Sequence, residues 1–148
     1  MMSKGKFNIR VYGIVVQEGQ VLLSHEVISG MSMTKFPGGG LEYGEGPLDT
    51  LKREFQEELQ IQIDSANHFY TTDFYQQSAF DSNQQIISIY YRVLQTSPPI
   101  PADLTPFNHL EDNQREQFEW HSIAHLDEGQ ITFPIDKIVL NLLKETES

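Results

Sequence analysis

Apolar residues fall in short β-branched runs over most of the chain and at helical spacing in two segments. Residues 7–16 are rich in Val, Ile and Tyr and suit a strand. Glu18-Gly19 reads as a turn and Val21-Leu22-Leu23 as the start of a second strand, so the chain opens on a hairpin. Residues 27–35 show no clear period and read as a loop. Phe36-Pro37-Gly38-Gly39-Gly40 is a breaker run, followed by a short extended piece at Leu41-Glu42-Tyr43. Gly44-Glu45-Gly46-Pro47 then announces a helix, with proline suited to its first turn. Leu48, Leu51, Phe55 and Leu59 recur within about 80° on a helical wheel, a core-facing stripe that ends at Leu59 or Gln60.

Two further strands are expected over residues 66–76 and 85–94, with Asp81-Ser82-Asn83 as a turn between them. Residues 96–109 contain Pro98, Pro99, Pro101 and Pro106 and read as an exposed connection. Phe118-Glu119-Trp120 suits a short strand and His121 to Asp127 a helical turn. Pro134 to Lys144 forms a last helix with apolar Ile135, Ile138, Val139, Leu142 and Leu143. No repeat or linker divides the chain, so residues 1–148 are expected to form one mixed α/β (α+β) domain.

The length allows one domain with a real core, and 39% hydrophobic with 21% charged residues marks a globular chain. No run reaches the roughly 18 apolar residues of a bilayer span, and no secretory signal pattern precedes the first strand. Absence of cysteine removes disulfides, thiolate nucleophiles and zinc–thiolate sites together. These features point to a cytoplasmic protein without a membrane partner. A net charge of −11 argues against a nucleic-acid partner, which would need a basic face. It leaves a small phosphorylated substrate open, because metal ions can supply positive charge.

The acids that matter are Glu54, Glu57 and Glu58. At i, i+3 and i+4 they lie within about 100° of one helix face, with Glu57 the most exposed and Glu58 beside the apolar stripe. Three close carboxylates repel one another, and a hard divalent cation with oxygen ligands would relieve the repulsion. Arg53 stands one turn before Glu57 and can pair with it. A glutamate-rich face alone is an ordinary solvated surface. The preceding glycines, Glu45 at fixed spacing and the apolar stripe set this one apart.

Gly39, five residues, Glu45, seven residues, Arg53-Glu54-Phe55-Gln56-Glu57-Glu58, two residues and Ile61 resembles the Nudix box of MutT-like hydrolases, matching eight of its nine fixed positions over residues 39–61. The departure is Gln60, where the family usually has the glycine that ends the helix in a left-handed conformation. The resemblance implies a Nudix-type α/β/α sandwich, a mixed sheet between helices, and hydrolysis of a nucleoside diphosphate linked to another group. It implies that Glu54, Glu57 and Glu58 bind magnesium, with manganese an alternative, and that a backbone carbonyl of Gly38 or Gly39 adds a ligand. Glu45 is expected to support the loop and helix start, and Arg53 to orient a carboxylate. Family members often recruit a further acid from a distant loop. Glu111, Asp112, Glu116 and Glu119 are the candidates here, with Glu116 foremost.

Outside the box the signal thins. The chain has no proline between Pro47 and Pro98, so the downstream proline of many ADP-ribose-cleaving members is missing. Tyr70, Phe74, Tyr75 and Phe80 are candidates to stack a base, and Arg10 and Lys35 to contact phosphate. None of His25, His68, His109, His121 and His125 has metal-site spacing. The substrate expected is a (d)NTP or another nucleoside diphosphate derivative, and the sequence is compatible with a homodimer. The rival reading is a catalytically silent Nudix-like domain that senses a nucleotide, against which stands the complete set of box acids.

Overall fold

The computed structural model describes residues 4–104 and 114–147, so Pro106, His109, Glu111 and Asp112 lie outside the described residues. Its elements are β1 (Lys6–Ile14), β2 (Val16–Gln17), β3 (Gln20–Ile28), β4 (Met31–Lys35), β5 (Gly38–Gly40), α1 (Pro47–Leu59), β6 (Gln62–Thr71), β7 (Gln84–Ser97), β8 (Gln114–Ser122), a 3₁₀ turn at Glu128–Gln130 and α2 (Pro134–Thr146). One sheet has the order β5-β1-β7-β6 and is mixed, because β1 and β7 run parallel while the other pairs are antiparallel. The second sheet is antiparallel and centres on β3, which pairs with β2, β4 and β8.

The two helices pack on opposite faces of these sheets, as the alternation along the strands requires. Neighbouring residues enter different cores. Val11 and Leu22 join Leu51, Phe55 and Leu59 of α1, whereas Tyr12 and Leu23 join Ile135, Val139, Leu140 and Leu143 of α2. Full burial of side chains this size contributes about 1.5–3 kcal/mol each, well above the tenths that separate most residues in intrinsic helix propensity. Docking therefore holds the helices more firmly than local preference does. The amide of Gly46 donates to Asp49 Oδ2 at 2.9 Å at the start of α1. At its end Gln60 takes φ 57°, ψ 40°, so glutamine itself adopts the left-handed cap.

Several expectations need correction. Residues 27–35 are not a loop: β3 runs to Ile28 and β4 starts at Met31, joined by a tight turn in which Ser29 and Gly30 both have positive φ. The opening hairpin exists only between Val16–Gln17 and Gln20–Val21, because β1 leaves for the other sheet. Gly38–Gly40 is a strand whose ladder partners are Tyr12, Val11 and Arg10, and Leu41–Tyr43 lies beyond it. Ile100 is buried, so the proline-rich connection is anchored at that point. Residues 121–127 continue β8 to Ser122 and then turn, and the helical turn falls at Glu128–Gln130. On α2 the buried stripe also includes Leu140, while Ile138 is exposed.

Candidate active site

The loop from β5 to α1 is fastened by Glu45. Its carboxylate accepts from Arg53 Nε at 2.7 Å, Arg53 Nη2 at 3.0 Å, Thr50 Oγ1 at 2.9 Å and the amide of Glu42 at 3.2 Å. These donors, Arg53 first, hold the Glu45 carboxyl well below the usual range, at about 2. Arg53 also donates to Glu54 Oε1 at 2.9 Å and to the carbonyl of Gly40 at 3.1 Å. Its contact with Glu57 is longer, 3.4 Å, and the Glu57 side chain is 59% exposed. The arginine thus grips Glu45 and Glu54 more closely than the Glu57 that its sequence position suggested.

Glu54 lies against β5. A Cβ on Gly39 would stand 2.4 Å from the Glu54 carboxyl, and one on Gly38 would stand 2.0 Å from the carbonyl of Val11. Only glycine lets the strand and that carboxylate approach so closely.

The pairing of β3 with β8 adds a second acidic pair. Glu26 and Glu116 are direct cross-strand partners, and like charges so placed are unfavourable. The structure handles this with protons and a cation. Lys35 pairs with Glu26 at 3.2 Å, and Ser24 Oγ donates to Glu116 Oε2 at 3.3 Å. Burial alone would raise the Glu26 pKa, but a hydrogen bond from Glu116 and the Lys35 charge outweigh it and hold Glu26 below its ordinary value. Glu116 is pushed up to about 8 by burial and then by Glu26. Glu58 rises to about 9, first through burial, then through the nearby Glu116 charge, with Glu54 adding to it. Glu58 is thus hydrogen-bonded beside Glu54, and Glu116 beside Glu26, as two side-by-side carboxyl pairs.

Among the described residues no three carboxyl or imidazole groups converge on one point as a finished metal cage. The donor set nevertheless suits a hard cation. It is all oxygen, it is partly buried, and Arg53 at one end and Lys35 at the other offset its mutual repulsion only in part. Glu116 was expected on a loop; it stands within β8 and is buried. Glu119 instead faces His121 at 3.1 Å.

A cleft of about 210 Å³ adjoins this cluster, lined among others by Arg10, Tyr12, Glu26 and Lys35 and by Phe80, Phe133 and Asp136. Of the four aromatics proposed to stack a base, only Phe80 lines it, at 6.1 Å from the Phe133 ring in an edge-on arrangement. Tyr70 packs against the α2 core, and Phe74 and Tyr75 are exposed elsewhere. Asp136 is buried and accepts a hydrogen bond from the Tyr90 hydroxyl, and burial raises its pKa to about 6. Sequence reasoning missed Glu26, Asp136 and Phe133. Asp136 had a signal, since a lone acid on the buried stripe of an apolar helix needs a partner. Glu26 had a weaker one, its shared parity with Leu22 on β3.

A NUDIX domain family model matches residues 6–142. By sequence alone no curated protein matches the chain. Among solved structures, one described for MutT of Aliivibrio salmonicida and Vibrio cholerae is 22% identical, with TM-score 0.66, covering 95% of this chain and 98% of that one. The E. coli ORF135 protein is 20% identical, with TM-score 0.72 and coverage of 97% and 93%. An ADP compounds hydrolase is 15% identical, with TM-score 0.65 and coverage of 94% and 72%. At such identities these neighbours establish a shared fold. Among the described residues no helix is long and apolar enough to cross a membrane.

Proposed function

The chain belongs to the NUDIX family, and from that premise we propose that it is a magnesium-dependent hydrolase cleaving the diphosphate bond of a small nucleotide-type compound, a (d)NTP or nucleoside diphosphate derivative. The observation that carries this reading is the gathering of Glu54, Glu58, Glu116 and Glu26 beside a cleft, where burial and neighbouring carboxylates push the Glu58 and Glu116 pKa values up and a cation would bring them down. In this reading Glu54, Glu57 and Glu58 hold the metal, the carbonyl of Gly38 or Gly39 adds a neutral oxygen, and Glu116 extends the set. When bound, the metal neutralises phosphate charge and makes a nearby water more acidic.

The chain's own residues supply the rest. Arg53 is a positioning residue that ties Glu54 to the Glu45 loop, so that helix and loop present one fixed carboxylate. Gly39 keeps the space that Glu54 occupies. A carboxylate in the cluster, Glu58 or Glu116, takes the proton as the water oxygen bonds to phosphorus and the bridging P–O bond breaks toward the departing phosphate. The apolar and aromatic wall at Phe80 and Phe133 suits the attached nucleoside.

A panel of nucleoside triphosphates, dinucleotides, ADP-ribose and nucleotide sugars, assayed with magnesium, tests this reading. At least one compound should be cut at its diphosphate. Turnover of none, with tight binding of one, would replace the hydrolase by a nucleotide-sensing domain.

A further inference from the structure

Four charged side chains line the cleft: Arg10, Glu26, Lys35 and Asp136. Three of them are committed, Glu26 and Lys35 to each other at 3.2 Å and Asp136 to the Tyr90 hydroxyl. Arg10 is not. Among the described residues it has no ion pair within 4 Å, although the Glu54 and Glu26 carboxyls lie near enough to act on its charge, and its one side-chain hydrogen bond runs from Nε to the Tyr12 hydroxyl at 3.2 Å. The guanidinium carbon lies 5.9 Å from the centre of the Tyr12 ring, so that ring steers it from the side. The two terminal nitrogens remain for a ligand. Arg10 is half-buried in a chain of net charge −11, where unpaired cations are scarce.

Its place in the fold indicates what it awaits. Arg10 is the ladder partner of Gly40 on β5, one residue from the Gly39 on which the Glu54 carboxyl rests. Nη1 would lie 3.2 Å from a Cβ at Gly40, so the strand is bare where the guanidinium crosses it. The fork therefore sits at the junction of the carboxylate cluster and the cleft. A diphosphate reaching from one to the other would pass it, and a planar guanidinium matches a phosphate through paired N–H donors. We propose that Arg10, oriented by Tyr12, is an anion-binding residue that takes a phosphate group of the substrate at the mouth of the cleft. This rests on the hydrolase reading for the identity of the ligand, but the anion site itself can be measured without turnover.

Inorganic phosphate is the probe, titrated at constant ionic strength with EDTA present. Wild type should show saturable binding, with acetate weaker. Arg10→Gln should weaken phosphate binding roughly tenfold or more, and Arg10→Lys should keep part of it. Tyr12→Phe keeps the charge and loses only the steering hydroxyl, so its effect should be smaller and it serves if R10Q fails to fold. In the catalytic assay R10Q should raise KM more than it lowers kcat. Wild type without saturable binding, R10Q or, should it not fold, R10K and Y12F all binding like wild type, or acetate bound as tightly as phosphate would overturn the assignment. Active hydrolysis with no phosphate effect removes the anion site alone. Phosphate binding without any turnover removes the hydrolase reading alone.

Discussion

The faces of the two sheets that carry α1 and α2 both bury acid, but they surround it differently. On the α2 face a single carboxyl, Asp136, is buried with the Tyr90 hydroxyl and the Phe36 amide as donors, and burial raises its pKa to about 6. On the α1 face Glu58 and Glu116 are driven higher, to about 9 and 8, because burial is joined by neighbouring carboxylates. Nearby Glu45, clasped by Arg53, goes the other way, to about 2. On the proposed function, the contrast separates structural acids from reactive ones. Glu45 and Asp136 each have donors that satisfy them, whereas Glu58 and Glu116 face neighbouring carboxyls that Lys35 and Ser24 offset only in part.

Four measurements would break or sharpen that contrast. The largest effect is expected for Glu58→Gln, which should lower kcat by roughly 10²–10⁴-fold while leaving the thermal midpoint near wild type. A variant with normal turnover would move Glu58 out of the reactive group. Next, magnesium should compete with the protons on Glu58 and Glu116. Both pKa values are raised, so both groups are protonated below about 8, and apparent magnesium affinity should rise by about tenfold per pH unit toward that value for each proton displaced. Calorimetry in two buffers of different ionisation heat would count the protons released, and a count of zero would contradict the assignment.

Asp136 gives the third. Its folded pKa of about 6 lies above the ordinary 3.8, so its contribution to stability is fully present below pH 3.8 and lost as pH rises through about 6. Raising pH across that window should therefore cost wild type on the order of 3 kcal/mol relative to Asp136→Asn. Urea unfolding of both proteins at either end of the window measures the difference, and parallel pH profiles would refute the buried-acid account. The smallest effect is expected at the end of α1. Gln60→Gly should relieve left-handed strain of about 1 kcal/mol, less a part given back through a freer unfolded chain. A stabilisation of some tenths of a kcal/mol with unchanged turnover is the expected outcome, seen as a small rise in the denaturant midpoint.

How much was legible differs between the helix and the strands around it. The glutamate spacing, Arg53, Glu45 and the stripe of Leu51, Phe55 and Leu59 lie within one segment, and a helix has a fixed period, so local pattern placed them correctly. The same reasoning failed at 27–35, where the tight Ser29-Gly30 turn hides a hairpin behind a short, irregular polar stretch. It also read Gly38–Gly40 as breakers only, although a strand of glycines is what a close-packed carboxylate behind it requires.

Spacing along a single element was enough to show that one helix would carry an acid-rich face and a buried face, with glycines before it. Only the tertiary structure decided which distant groups would meet that face. Glu26 faces Glu116 through a strand pairing that spans most of the chain, Lys35 enters from the next strand, and Arg10 reaches the cleft from the first. Strand partners are chosen by burial and register over the whole domain, and no local period encodes them.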